Sequence, residues 1–134
     1  MTESKGKHAI LVRTSSSELD VITLIQVIVE EKISRIGSFS VVESGSDTFE
    51  FLEDKQIDLV IVDGLKSGQL EVVRLISKSY PKTIILVILG WSATKDDMRS
   101  ALNAGAIDFI DRPLSPIIVE TIETALDRGE PSQY

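Results

Sequence analysis

The chain of 134 residues has no cysteine and a single histidine, His8. Disulfides, thiolate chemistry and zinc–cysteine sites are thereby excluded. With its one imidazole beside the N-terminus, the sequence gives no basis for histidine-centred catalysis, and His8 reads as a strand-edge residue. Long apolar runs are missing as well. The longest, "IILVIL" at 84–89, is far below the roughly 18 residues that span a bilayer. The opening "MTESKGKHAI" carries charge but no apolar stretch of a secretory signal. A cytoplasmic protein without membrane contact is the expectation. Positive charge is also short, with 14 Lys and Arg against 21 Asp and Glu and a formal net charge of −7. No basic stripe is present to release counterions from a phosphate backbone, so nucleic acid is not an expected partner. The acidic surface leaves a protein partner open. Internal repeats, low-complexity segments and linkers are absent. "DGLKSG" has the wrong order and spacing for a phosphate-binding P-loop. Without a nucleophile–base pair, a metal-ligand cluster or a nucleotide fingerprint, no enzyme of the ordinary kind is expected.

What remains is a chain that is 43% hydrophobic, enough for one core in one domain. Residues 1–7 read as a mobile N-terminus, 8–128 as the domain and 129–134 as a tail. "HAILV" (8–12) reads as a strand buried on both faces. In "ILVRTSSSELD", Ser15 and Glu18 have capping-box spacing, which predicts a helix from there to about Lys32. Leu19, Ile22, Ile25, Val29 and Ile33 recur at helical intervals and predict its buried stripe. "SFSVVE" (38–43) is a second strand, and Asp47 with Glu50 opens a short helix. "IDLVIVD" (57–63) is a third strand, followed by a turn from Gly64 to Gly68 and the helix "QLEVVRLISKSY". "TIILVIL" (83–89) is a fourth. Thr94 and Asp97 repeat the capping spacing before "KDDMRSALNA", which Gly105 ends. "IDFI" (107–110) is a fifth strand. Ser115 and Pro116 are N-cap and first residue of a last helix, to about Arg128.

Strands alternating with helices predict an α/β fold on a parallel sheet. Ligands of such folds bind beyond the carboxyl ends of the strands. That edge gathers Arg13 to Ser17, Asp63 to Gly68, Gly90 to Ser92, and Asp111 to Pro113.

"DLVIVD" ending in Asp63, "ALNAGAIDFIDRP" (101–113) and the order and length of the elements resemble the receiver domain of bacterial response regulators, across almost the whole chain. The resemblance implies a doubly wound, flavodoxin-like sheet of five parallel strands in order 2-1-3-4-5 with five helices. It also implies that Asp63 stands at the phosphoacceptor position. The other family positions depart from the pattern. Receivers carry two acidic residues for Mg²⁺ after the first strand, where this chain has Arg13 and Thr14. The switch Thr or Ser corresponds to Gly90, and the lysine to Arg112, followed by the family's Pro113 with its cis peptide. The loop "GLKSGQ" is shorter than usual and lacks the customary proline.

Placing a phosphoryl group on a carboxylate brings anions together, and a cation must bridge their oxygens. Mg²⁺ usually takes one or two carboxylates besides phosphate and water. With Arg13 in place of an acid, metal affinity is expected to collapse, so no cofactor is expected. Asp63 then needs another partner, and Arg13 and Arg112 both approach from neighbouring strand ends. An Asp63–arginine pair is the expected substitute.

The reading is therefore a stand-alone, degenerate receiver that signals through protein contacts without standard Mg²⁺-dependent phosphorylation. A histidine kinase or an output protein is the kind of partner implied. By resemblance, residues 95–127 would form the partner or homodimer surface, with Met98, Arg99, Leu102, Ile118 and Ile122 as candidate contacts. Trp91 either covers the Asp63 site, forms a contact patch or packs under a loop. One alternative is a genuine response regulator phosphorylated at Asp63 with Mg²⁺. The other is a flavodoxin-like small-ligand or anion binder, with Thr14, Ser15, Ser16 and Ser17 cradling an anion at a helix start. Helix capping is the plainer role for those hydroxyls.

Overall fold

The computed structural model describes residues 6–66, 68–112 and 115–128. Ten elements alternate along the chain: β1 (Lys7–Arg13), α1 (Leu19–Lys32), β2 (Ile36–Glu43), α2 (Ser46–Asp54), β3 (Leu59–Asp63), α3 (Gln69–Ser79), β4 (Ile84–Ile88), α4 (Lys95–Ala104), β5 (Asp108–Ile110) and α5 (Ile117–Arg128). The strands form one sheet in order β2-β1-β3-β4-β5, and every neighbouring pair is parallel. The chain moves outward from β1 to β2, then returns past β1 to β3. That reversal leaves a crevice between β1 and β3 at the carboxyl edge, the place where open α/β sheets take ligands. Pro113 and its predicted cis bond lie outside the described residues, as do residues 1–5 and the tail 129–134.

Side chains alternate across the strands and divide the core into two layers. Ala9 and Leu11 of β1 and Leu59 and Ile61 of β3 pack with Ile22, Ile25 and Val29 of α1 and with Ile118, Ile122 and Leu126 of α5. Ile10, Val12, Val60 and Val62 face the opposite way, onto Leu52 of α2, Val73 and Ile76 of α3 and Ala101 of α4. This explains why β3 and β4 read as unbroken apolar runs, since helices cover both faces.

His8 stands near the start of β1, half-buried, and its ring shares a hydrogen bond with Ser38 at 2.6 Å. Three local expectations change. Lys7, assigned to a mobile N-terminus, is already in β1 and pairs with Ile36. Leu19 drops out of the buried stripe of α1, being 66% exposed at its first position, where the helix has yet to reach the sheet. Ile118 and Ile122, candidate partner contacts, are core residues, 3% and 0% exposed. Helical periodicity alone does not separate a core stripe from a contact stripe, and here the sheet claims it. On α4, Arg99 is exposed and pairs with Asp96, Leu102 is exposed and Met98 is half-buried.

The predicted cap of α4 forms in full: Asp97 N donates to Thr94 Oγ1 at 3.1 Å and Thr94 N to Asp97 Oδ2 at 2.9 Å. Gly105 ends the helix at φ 128°, and a Cβ there would collide with Ser77 of α3. The predicted cap of α1 does not form. Its N-cap is Glu18, without a side-chain cap bond, and Ser15 lies outside the helix.

Candidate functional site

The carboxyl ends of β1, β3 and β4 and the loops that follow them enclose a cavity of about 400 Å³. Its lining brings together Thr14, Ser16, Ser17, Asp63, Gly90, Trp91 and Arg112 from the predicted site residues, and it leaves out Arg13 and Ser15. Sequence reading did not anticipate the roles of Glu18 and Gln69.

Asp63 ends β3, where the last apolar residue gives way to a carboxylate that is 6% exposed. Arg112, just past β5, reaches across the ends of β4 and β3. Its Nη2 donates to Asp63 Oδ1 at 3.1 Å, its Nη1 to Glu18 Oε1 at 2.7 Å and its Nε to the Leu89 carbonyl at 2.8 Å. The Arg112 side chain is 8% exposed and that of Asp63 3%, against 57% for Glu18. One planar guanidinium thus ties the start of α1 to the ends of β3 and β4, using donors that a lysine ammonium would not present in this fixed fan. Asp63 Oδ2 is buried and has no hydrogen-bond partner among the described residues.

Arg13 takes no part in this pair. β1 and β2 run in register so that Arg13 stands beside Glu43, and its Nε meets Glu43 Oε2 at 3.5 Å. The expectation that both arginines approach Asp63 is corrected accordingly. Arg13 turns toward the edge strand, where an exposed carboxylate is the nearer partner.

Gln69 opens α3 yet is fully buried. Its Nε2 donates to the carbonyls of Val12 at 3.1 Å and Asp63 at 3.3 Å, and its Oε1 accepts from Ser44 Oγ at 2.6 Å. The side chain stitches the ends of β1 and β3 across the crevice, satisfying carbonyls that have passed the last ladder bond. A glutamine at a helix start ordinarily reads as solvent-facing, and no local pattern marks it otherwise.

The hydroxyl turn is folded on itself. Thr14 N donates to Ser17 Oγ at 3.0 Å, Ser16 N to Thr14 Oγ1 at 3.2 Å and Ser17 N to the Thr14 carbonyl at 3.0 Å. Its hydroxyls close a turn ahead of the helix instead of capping it. Trp91 is 69% exposed at the cavity rim, beside Gly90, so it neither seals the site nor packs under a loop.

No family model matches the sequence, nor does any curated protein. Solved structures do match in shape. A response regulator from Thermotoga maritima shares 25% identity at a TM-score of 0.69, over 90% of this chain and 98% of that one. A receiver domain, described as CheY-like, from Methanospirillum hungatei JF-1 shares 19% identity at a TM-score of 0.70, over 92% and 97%. The beryllofluoride-activated NtrC4 receiver domain dimer shares 18% identity at a TM-score of 0.74, over 91% and 98%. The TM-scores and the near-complete coverage of whole receiver domains agree, and this chain has the fold of response-regulator receiver domains.

Proposed function

We propose that this receiver-fold signalling domain works through protein contacts and not through Mg²⁺-dependent phosphorylation of Asp63. The observation that carries the reading is the Asp63–Arg112 pair, 3.1 Å long with both side chains almost fully buried. A divalent ion would have to displace a guanidinium that two carboxylates and a carbonyl already hold. The donors around it fit Mg²⁺ poorly. The ion favours near-ideal octahedral oxygen ligation, usually with carboxylates. Thr14 occupies the cavity wall where an acid would serve, and Arg13 is turned to Glu43. Among the described residues, no group of three His, Cys, Asp or Glu side chains is placed to hold a metal. At Gly90 there is no hydroxyl to receive a phosphoryl oxygen. A fixed pair at the phosphoacceptor position favours one conformation, which suits a constitutive scaffold for a signalling partner such as a kinase or an output protein.

Mg²⁺ with beryllofluoride, a phosphoryl mimic, tests this directly by amide NMR. The expected spectrum is unchanged around Asp63. Shifts spreading from Asp63 to Gly90 would instead establish an ordinary phosphoaccepting regulator. Among the described residues no helix is long and apolar enough to cross a membrane.

A further inference from the structure

The cavity above Asp63 has the size of a site for a small organic molecule, about 400 Å³. One wall is apolar, formed by Leu65, Leu70 and the open face of Trp91. An indole 69% exposed at the rim of a concave site offers a flat surface for stacking a ring and for attracting a cation.

On the polar side of the cavity, the donors of the hydroxyl turn and of Arg112 are already in use. An anion at a strand-to-helix turn needs backbone N–H groups directed at it. In this turn the N–H groups of Thr14, Ser16 and Ser17 are all consumed internally. Arg112 is held by Asp63, Glu18 and the Leu89 carbonyl. Lys66, exposed at the rim, is the remaining lining cation. Two carboxylates, by contrast, keep acceptor capacity. Asp63 Oδ2 is buried with no partner among the described residues, and Glu18 keeps more than half of its side chain exposed. An unmet buried carboxylate oxygen is costly, so a group that donates to it gains more than it would in water.

We infer that this cavity binds a small planar aromatic ligand bearing a cationic or N–H-donating nitrogen group, its ring against Trp91 and its nitrogen toward Asp63 and Glu18. The inference rests on the proposed function, because a metal–phosphoryl centre would occupy the same carboxylate.

Benzamidine and benzoate make a matched pair of probes, with equal rings and opposite charge. Trp91 is the sole tryptophan, so its fluorescence reports the site directly, and amide NMR locates the contact. Benzamidine is expected to bind saturably and at least about tenfold more tightly than benzoate. Trp91→Leu, at an exposed position, should leave the fold intact and weaken benzamidine severalfold. Asp63→Asn should erase the preference between the two probes. Equal or tighter binding of benzoate overturns the inference in favour of an anion site, and so does the absence of saturation by either probe. A parallel titration with Mg²⁺ and beryllofluoride separates the two claims. Silence to both benzamidine and beryllofluoride defeats the ligand site alone, whereas a beryllofluoride response at Asp63 defeats the proposed function as well.

Discussion

Arginines gather carboxylates at both ends of this sheet, in different surroundings. At the carboxyl edge, the side chain of Arg112 is 8% exposed and holds that of Asp63, 3% exposed. At the amino edge, Arg35, just before β2, reaches α5 and meets Glu123 at 3.1 Å and Asp127 at 2.8 Å, with side-chain exposures of 31%, 34% and 71%. By distance the two edges are alike, since Arg112 meets Glu18 at 2.7 Å and Asp63 at 3.1 Å. Burial, not length, is what sets them apart. A charge that water reaches loses little when its partner leaves, whereas a buried carboxylate stripped of its counterion keeps its full desolvation cost. The carboxyl edge is therefore a constraint on conformation, and the amino edge a loose tie between the turn before β2 and α5.

The comparison breaks most visibly at Arg112. Arg112→Met should lower stability by about 3–5 kcal/mol, because it leaves Asp63 buried and unpaired. Thermal and urea unfolding measure this, and an unchanged midpoint would show that the pair constrains nothing. The double variant Arg112→Met with Asp63→Leu should recover much of the loss, since removing both charges removes the desolvation cost together with the attraction. Asp63→Ala alone is also expected to destabilise.

Gln69→Leu comes next. The carbonyls of Val12 and Asp63 would each lose a donor where water has little access, and Ser44 its acceptor. A loss of about 1–3 kcal/mol is expected, larger than for any single exposed ion pair. Amide exchange near the ends of β1 and β3 should rise with it, and unchanged exchange there would remove Gln69 from the site's framework.

How much of this was legible in the sequence depends on the range of the interaction. The strands announced themselves because burial on both faces needs only a short apolar run, and α4 because Thr94 and Asp97 find their partners within one turn. Ser15 and Glu18 show the same spacing, yet the Glu18 carboxylate goes to Arg112, 94 residues away in sequence. A long-range guanidinium outcompetes a local N–H, and no window on the chain contains that competition. The choice between Arg13 and Arg112 at Asp63 was hidden for a related reason. It depends on β1–β2 register, which sets Glu43 beside Arg13. Trp91 was ambiguous because only the loop's course decides which way an indole points.

Arg35→Ala tests the exposed end. Burial lowers the pKa of this guanidinium, but hydrogen bonds from it to Glu123 and Asp127, with their negative charge, outweigh that and leave it above the ordinary arginine value. A group whose folded pKa is raised contributes stability fully present below the unfolded value and lost only as pH climbs through the folded one. For an arginine that window lies far into alkali, so this contribution should stay flat from pH 5 to 9. The expected loss for Arg35→Ala is below about 1 kcal/mol, and it should shrink further in high salt. A salt-independent loss as large as that of Arg112→Met would abolish the distinction between the two edges.

The smallest effect belongs to Arg13→Ala, and it is the sharpest check on which arginine matters. Its 3.5 Å contact is with Glu43, whose side chain is 58% exposed, and its Nε reaches the neighbouring Thr14 carbonyl at 3.4 Å. Both are long, and water replaces either readily. The substitution should change stability by no more than about 0.5 kcal/mol. Because Arg13 stands outside the cavity lining, the proposed indifference of Asp63 to Mg²⁺ should hold in the variant as well. If removing Arg13 alone opened Asp63 to Mg²⁺ and beryllofluoride, then Arg13, and not the buried grip of Arg112, would be the charge that governs access to this carboxylate.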